Sequence, residues 1–180
     1  MGNSVTNLMD SLSRKASNHK ILMLGMPAVG KTTILYQLNS EDPNTEFLSD
    51  VQLKNIVYKN LTFTIFDIFY FNSQRRIWQT VRKNQNALIY VFDVNDDVRF
   101  YEAKEIFHSL LKETELKEIP VLIFLNKIDG YLGNVDELIQ RIDLEALKGR
   151  KWMIQPTNAL KNKGIMEGLE WLIKTLQNLD

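Results

Sequence analysis

A phosphate-binding loop is the first chemistry that the sequence indicates. Residues 25–32 read GMPAVGKT, which fits the pattern G-x-x-x-x-G-K-[ST], and they lie between an apolar run and a helix-like segment. Glycines let backbone N–H groups surround phosphate oxygens, a lysine adds positive charge, and a threonine hydroxyl is a ligand for Mg²⁺. The predicted phosphate-binding residues are Gly25, Ala28, Val29, Gly30, Lys31, Thr32 and Thr33, with Thr32 also a predicted metal ligand.

A second polar segment, NKID at residues 126–129, follows the apolar run 119–125 and suggests a purine pocket. An Asp carboxylate accepts two parallel hydrogen bonds, which matches N1–H and the N2 amino group of guanine, whereas adenine presents an acceptor there. Asp129 is therefore predicted to select guanine. Asn126 would reach the other edge of the base or brace the phosphate loop, Lys127 would lay its stem over the base, and the Ala159 amide would meet O6.

These two segments need a sheet that brings them to one edge. Apolar runs at 20–25, 87–94 and 119–127 are typical of strands covered on both faces, and residues 51–67 alternate as two strands around a turn at 59–60. Helix-period segments separate the strands, and each has one apolar face. The two clearest faces are Ala103, Ile106, Phe107, Leu110 and Leu111, and Ile165, Leu169, Leu172, Ile173 and Leu176. This order predicts an α/β doubly wound sheet in one domain.

Composition excludes several classes of protein. The 180 residues carry 22 Lys and Arg against 22 Asp and Glu, so the broad cationic field of nucleic-acid-binding proteins is absent, and no nucleic-acid partner is expected. There is no cysteine, which rules out disulfides, thiolate metal sites and a cysteine nucleophile. No apolar run approaches the ~20 residues that a membrane-spanning helix needs.

With these motifs placed, the chain resembles the Arf and Arf-like small GTPases over nearly its whole length. The segments YKNLTFTIFD, ALIYVFDVNDDVR, VLIFLNKID and RKWMIQPTNALKNKGIMEGLEWL carry the resemblance. It implies a P-loop small GTPase fold with a six-stranded, mostly parallel sheet, helices on both faces, and a β-hairpin between two switch loops. It also implies GTP or GDP and Mg²⁺ as cofactors. Asp67 would lie in the outer coordination sphere of Mg²⁺, and Asn126, Lys127, Asp129 and Ala159 would hold guanine.

The first residues suggest attachment to a membrane. MGNSVT fits M-G-x-x-x-[ST], so Gly2 is a candidate for N-myristoylation. Val5, Leu8, Met9 and Leu12 form an apolar stripe at helical spacing, which would supply the second membrane signal that one acyl chain needs. We expect an amphipathic anchor helix over 1–17 and a nucleotide-binding domain over 18–180. The resemblance implies a cytoplasmic monomer that is peripheral on endomembranes such as the Golgi when activated, and that acts in vesicle traffic.

The chain departs from the family where GTP is distinguished from GDP. The family's D-x-G-G-Q falls on residues 67–71, so the glycine that binds γ-phosphate is Tyr70 and the glutamine that orients water is Phe71. Leu48 stands at the position of the switch threonine that completes Mg²⁺ coordination in the family. Pro27 stands at the position of the family's acidic residue in the phosphate loop. No catalytic residue is intact, so GTP hydrolysis is expected to be slow or absent.

Two interpretations of the aromatic run remain open. Phe69 and Phe71 either extend a buried strand, or they form an apolar patch that meets partners or fills the space of the γ-phosphate. The surface expected to meet effectors and regulators comprises Val51, Phe66, Phe69, Phe71, Trp78 and Val81, although a packing role is favoured for Trp78.

Three functions follow from these departures. The first is a nucleotide-binding recruiter of partners with slow hydrolysis. The second is an active switch in which Gln74 or a partner's arginine positions the water. The third is an adaptor that is locked to GDP or free of nucleotide.

Overall fold

The structure is a computed structural model that describes residues 19–38, 44–48, 51–58, 61–67 and 75–179, with the backbone alone for 44–48, 51–58, 66, 67 and 75. Several predictions fall outside these residues. They concern the anchor helix over 1–17, the lipidation site Gly2, and the positions Phe69, Tyr70, Phe71 and Gln74. Within the described residues, no helix is long and apolar enough to cross a membrane.

The described chain forms one seven-stranded sheet in the order β2-β3-β4-β1-β5-β6-β7. The strands are β1 (His19–Gly25), β2 (Asn44–Leu48), β3 (Val51–Tyr58), β4 (Leu61–Asp67), β5 (Ala87–Asp93), β6 (Val121–Asn126) and β7 (Trp152–Thr157). Strands β4, β1, β5, β6 and β7 are parallel, while β3 and β2 are antiparallel additions at one edge. The α/β fold is confirmed, with one strand more than the six expected.

The extra strand is β2, in a segment that the sequence analysis treated as a switch loop. It pairs antiparallel with β3, from Asn44 opposite Asn55 to Leu48 opposite Val51. Its sequence, NTEFL, lacks the apolar alternation that predicts a half-buried strand. The strand forms because the edge of β3 offers unpaired backbone groups to it.

The described residues form five α-helices, of which the first four lie between strands and the fifth follows β7. They are α1 (Lys31–Leu38), α2 (Arg75–Val81), α3 (Asp97–Leu110), α4 (Val135–Ile142) and α5 (Ile165–Gln177). Asp96 caps α3 by accepting from the Arg99 amide, and Asn134 caps α4 through the amides of residues 136 and 137. The predicted apolar face of α5 is wholly buried, and that of α3 is buried except for the half-buried Ile106. The two strands predicted on either side of 59–60 pair with each other, with Tyr58 opposite Leu61. The predicted turn at 59–60 itself lies outside the described residues.

The core lies on both faces of the central strands. Every residue of β6 is buried, and so is every residue of β5 except the half-buried Asp93. Because successive side chains of a strand point to opposite faces, this pattern requires cover on both sides of the sheet. The parallel strands therefore deliver their carboxyl ends, at Gly25, Asp67, Asn126 and Thr157, to one edge of a rigid sheet.

The packing of α3 on β5 generates a stability prediction. The ring of Phe107 is fully buried, with its centroid 4.8 Å from that of Tyr90 and 5.8 Å from that of Phe92. We expect Phe107→Ala to lower the free energy of unfolding by about 3–5 kcal/mol, because it leaves a cavity among aromatic rings. Urea denaturation measures this. Tyr101→Ala on the exposed face of the same helix is the control, expected within about 0.5 kcal/mol of the native chain.

Candidate nucleotide-binding site

The predicted phosphate loop is closed by its own lysine. Residues 25–30 connect β1 to α1, and the Lys31 side chain is only 4% exposed. Its Nζ donates to the carbonyl oxygens of Gly25 and Met26, at 2.8 Å each. The ammonium group is therefore held within the curve of the loop. The first-turn N–H groups of α1 follow directly, and such groups have no acceptor within their own helix.

Both glycines of the motif are required by close approach of neighbouring strands. Gly30 has φ +101°, and a Cβ there would lie 2.3 Å from Nδ2 of Asn126. A Cβ on Gly25 would lie 2.6 Å from the carbonyl oxygen of Val91. The motif's spacing thus reflects packing against β5 and β6 as well as access of a phosphate to the backbone.

Asn126 is the residue that joins the base segment to the phosphate loop. Its side chain is 2% exposed, and Nδ2 donates to the Val29 carbonyl oxygen at 2.8 Å. Its Oδ1 accepts from the Ala159 amide at 3.0 Å and from the Thr157 hydroxyl at 3.3 Å. Of the two predicted roles, the structure shows the brace. A bond from the Ala159 amide to guanine O6 stays a prediction, and that amide would then have to share or leave Oδ1 of Asn126.

Lys127 provides a second tie to the loop. The residue has a left-handed backbone, with φ 66°, and its Nζ donates to the Ala28 carbonyl oxygen at 3.1 Å and to Asp93 Oδ2 at 2.6 Å. The side-chain Nδ2 of Asn95 donates to the Lys127 carbonyl oxygen at 2.9 Å. The stem of Lys127 therefore extends from the end of β6 to the phosphate loop, and its contact with a base stays a prediction.

Sequence reasoning missed the support from the segment after β5. Asp93 binds Lys127, and the Arg99 guanidinium donates to the Pro27 carbonyl oxygen at 3.3 Å. Arg99 also pairs with Asp96, and this hydrogen bond holds the pKa of the Asp96 carboxyl below its usual range. The signal was present as a polar run, DVNDD, directly after an apolar strand. Pro27 lacks an N–H but still contributes its carbonyl to the site.

The predicted guanine-selecting carboxylate already has a cationic partner. Asp129 is exposed, and its Oδ2 accepts from Lys161 Nζ at 2.6 Å. The hydrogen bond from Lys161 is the main reason why the pKa of Asp129 lies below its ordinary value. Lys161 was not predicted, because only the fold brings the loop after β7 beside the loop after β6. A base bound at Asp129 would meet an ion pair rather than a lone carboxylate.

The Mg²⁺ prediction is compatible with the backbone. Thr32 lies in the first turn of α1, and Asp67 ends β4 directly opposite Gly25 in the register. A threonine hydroxyl and a carboxylate at the edge of a phosphate loop are oxygen donors of the kind that Mg²⁺ prefers. Among the described residues, no group of three or more His, Asp or Glu side chains could by itself hold a metal ion. The two residues fit a phosphate-bound Mg²⁺ and not an all-protein metal cage.

Leu48, the position predicted for the switch threonine, is separated from the phosphate loop by two intervening strands. Leu48 ends β2, and β2 is separated from β1 by β3 and β4. Three strand spacings place its backbone ~14 Å from the end of β1, beyond the reach of a direct metal ligand.

One part of the predicted partner surface is wrong in this structure. Trp78 and Val81 are only 2% and 6% exposed and pack in the core, together with Ile77. The three share one face of α2, whereas residues 76, 79 and 80 are exposed. The side chains of Val51, Phe66, Phe69 and Phe71 lie outside the described part of the chain.

Comparison with known proteins agrees with this geometry. A family model described as the ADP-ribosylation factor family matches residues 5–176. Among solved structures, the chain is similar to the Arl6 BBS3 small GTPase from Trypanosoma brucei, which was solved with a bound nucleotide analogue, GppNp. The two share 25% sequence identity with a TM-score of 0.73, and the alignment covers 91% of this chain and 100% of that one.

A glycine substitution tests the tie between the loop and Asn126. Gly30→Ala should lower the free energy of unfolding by about 1–3 kcal/mol beyond the backbone strain, since its Cβ would displace Asn126. Gly149→Ala is the matched control, because Gly149 also has a positive φ, +85°, but has open space where its Cβ would lie. Thermal and urea unfolding of both variants measure the difference. Equal losses would show that the contact with Asn126 contributes nothing.

A titration tests the Lys161–Asp129 pair. Removing Lys161 should raise the pKa of Asp129, because the native carboxylate is held ionised to lower pH by the lysine. Any stability that this group supplies is present above the unfolded pKa and is lost as the pH falls through the depressed folded pKa. NMR of side-chain carboxyl carbons follows Asp129 in Lys161→Ala. Lys174→Ala, which removes a partner of Glu170, should leave the titration of Asp129 unchanged.

Proposed function

The chain belongs to the ADP-ribosylation factor family, and from this premise we propose that it binds guanine nucleotides with Mg²⁺ and hydrolyses GTP slowly or not at all. The observation that carries the proposal is the buried Asn126 side chain, which ties the phosphate loop to the base segment and to the loop after β7. Each of these three segments has a predicted contact with a different part of one nucleotide. A single residue that couples them supports one ligand shared among all three.

The roles of the protein's own groups follow from their positions. Loop N–H groups and the start of α1 bind phosphate oxygens, and Lys31 moves its ammonium from the loop carbonyls toward phosphate charge. Thr32 and Asp67 would hold Mg²⁺, which neutralises phosphate charge when bound. Asp129 orients guanine by two hydrogen bonds, with Lys161 displaced to the side of the pocket or kept on the outer face of the carboxylate.

Slow hydrolysis is supported by side-chain chemistry at two positions. Phe71 stands where the family has a water-orienting glutamine, and a phenyl ring can neither donate nor accept a hydrogen bond to water. Loss of such a group commonly costs orders of magnitude in rate. Leu48 replaces the switch threonine and has no oxygen to offer a metal.

Membrane attachment and partner recruitment complete the proposal. Gly2 within MGNSVT would carry the acyl chain, and the apolar stripe over 1–17 would add the second membrane signal. Such a protein would be peripheral on endomembranes and would recruit traffic factors through the switch region around Phe66, Phe69 and Phe71.

A GDP-locked adaptor is the second candidate, and strand β2 favours it. All five of its residues pair with β3, which holds the switch segment at the sheet edge and away from the phosphate loop. A protein kept in this arrangement would present a fixed surface in place of a switched one.

Titration of purified protein with GDP and with GppNp, in the presence of Mg²⁺, tests both candidates. The proposal expects binding of both nucleotides and single-turnover hydrolysis of GTP far below that of assisted small GTPases. Binding of GDP alone supports the locked adaptor. Binding of neither nucleotide, by protein that is folded by circular dichroism, would falsify the proposed function.

Asp129→Asn tests the base assignment. Asparagine offers one acceptor and one donor in place of two acceptors, so it mismatches guanine and matches xanthine, whose C2 carries an oxygen. GDP affinity should fall by roughly 10²–10⁴-fold, and xanthosine diphosphate affinity should rise. Asp136→Asn, on the exposed first turn of α4, is the control. Unchanged nucleotide preference in Asp129→Asn would place the base elsewhere.

A further inference from the structure

A cavity lies at the end of the sheet opposite to the candidate nucleotide-binding site. Its volume is about 870 Å³, and Pro120 and Lys151, which directly precede β6 and β7, are part of its lining. The carboxyl ends of these strands, at Asn126 and Thr157, carry the candidate nucleotide-binding site. The two sites are thus separated by the length of a six-residue strand, ~16 Å. The cavity is distinct from the site described above, and its volume is that of a small-molecule pocket.

The lining of this cavity is strongly basic. Lys112, Lys117, Lys148, Lys151 and Arg150 surround it, and Glu118 is its single acidic residue. The whole chain has a formal net charge of zero, so this is a local concentration of positive charge and not a general property. All four lysines are exposed, and none forms an ion pair with a residue that the structure describes. Elsewhere, Lys127, Lys161 and Lys174 each have a carboxylate partner.

Arg150 is a fixed cation in the wall of the cavity. The residue is half-buried, and its guanidinium donates to the carbonyl oxygen of Leu116 at 2.8 Å and to that of Leu111. These carbonyls belong to the end of α3 and to the short 3₁₀ helix Thr114–Leu116. Burial lowers the pKa of Arg150, but a guanidinium stays protonated in proteins. The positive charge is therefore anchored, while the four lysines around it have flexible stems.

The chemistry of the lining selects the kind of ligand. Several separate ammonium groups around one compact cavity match a ligand with several separate dianionic groups, and lysine binds phosphate as a point charge. An acidic peptide carries one charge per residue and would need an extended groove to reach the same number of lysines. The apolar part of the lining, including Leu111, Pro120, Ala146 and Leu179, is compatible with a carbon ring beneath the charged groups.

We propose that this cavity, lined by Lys112, Lys117, Lys148, Arg150 and Lys151, binds a small ligand that carries two or more phosphate groups. The ligand chemistry is that of a polyphosphorylated ring, either free in solution or as the headgroup of a membrane lipid. This site does not depend on the proposed guanine-nucleotide binding, because no residue is shared between the two.

Calorimetric titration of the full chain with inositol hexakisphosphate is the test, with Lys148→Glu/Lys151→Glu as the variant. Both residues are exposed and lie at the turn before β7, so the fold should tolerate the change. The variant should bind at least tenfold more weakly, and native affinity should fall as salt rises. Lys83→Glu/Lys174→Glu makes the same change of net charge at exposed positions outside the cavity and should stay within about twofold of native affinity.

Amide NMR separates this cavity from the phosphate loop. Bound inositol hexakisphosphate should shift the amides of Lys148, Gly149 and Lys151 and leave those of Gly25 and Gly30 unchanged. Shifts at the phosphate loop alone, equal weakening in both double variants, or tighter binding of an octaglutamate peptide than of inositol hexakisphosphate would overturn the proposal. Asp129→Asn should bind inositol hexakisphosphate like the native chain. The cavity proposal and the nucleotide proposal can therefore fail independently of each other.

Vesicle binding distinguishes the two sources of the ligand. Phosphatidylcholine vesicles with phosphatidylinositol bisphosphate are compared with phosphatidylserine vesicles of equal total charge. Preference for the phosphoinositide vesicles, lost in Lys148→Glu/Lys151→Glu, supports a lipid headgroup. Tight binding of inositol hexakisphosphate without that preference supports a soluble polyphosphate. Binding of neither probe by the native chain contradicts the site.

Discussion

The buried carboxamide of Asn126 has to satisfy both of its polar ends inside the protein, and the arrangement of the site depends on how it does so. Its donor is used by the carbonyl of Val29 and its acceptor by the Ala159 amide and the Thr157 hydroxyl. A buried amide left without partners costs about 1–3 kcal/mol, so the three segments are held in mutual register by one side chain. Gly30 has no Cβ because Asn126 occupies that space. Lys127 and Arg99 then add further ties from the same side of the sheet.

The phosphate loop and the base segment differ from the predicted switch positions in the chemistry of their side chains. Two cations hold neighbouring carbonyls of the phosphate loop: Arg99 donates to Pro27, and Lys127 donates to Ala28 and also to the Asp93 carboxylate. The positions where the resemblance predicts a metal-binding threonine and a water-orienting glutamine hold Leu48 and Phe71, whose side chains have no hydrogen-bonding atoms. Lys161 adds a feature at the base end, where an exposed ion pair of this kind contributes modestly and is weakened by salt.

Much of the fold was predictable because strands β1, β5 and β6 are apolar on both faces and the glycine motif has a fixed place between a strand and a helix. Strand β2 was not, because its pairing comes from a neighbouring edge and not from its own pattern. Lys161 and Arg99 were missed for a similar reason: they come near Asp129 and Pro27 only through the tertiary fold. Val81 was assigned to the surface by family position, although the helical spacing of Ile77, Trp78 and Val81 indicates a buried face.

Strand β2 also has a kinetic consequence. Its five residues form a complete antiparallel ladder with β3, and Leu48 lies at the end of that ladder. A conformation that brought residue 48 to the phosphate loop while β3 stayed in place would have to break these hydrogen bonds and expose the edge of β3 to water. The two arrangements are therefore separated by an activation barrier as well as by an energy difference. Such a change could be no faster than the opening of the ladder, however much ligand is present.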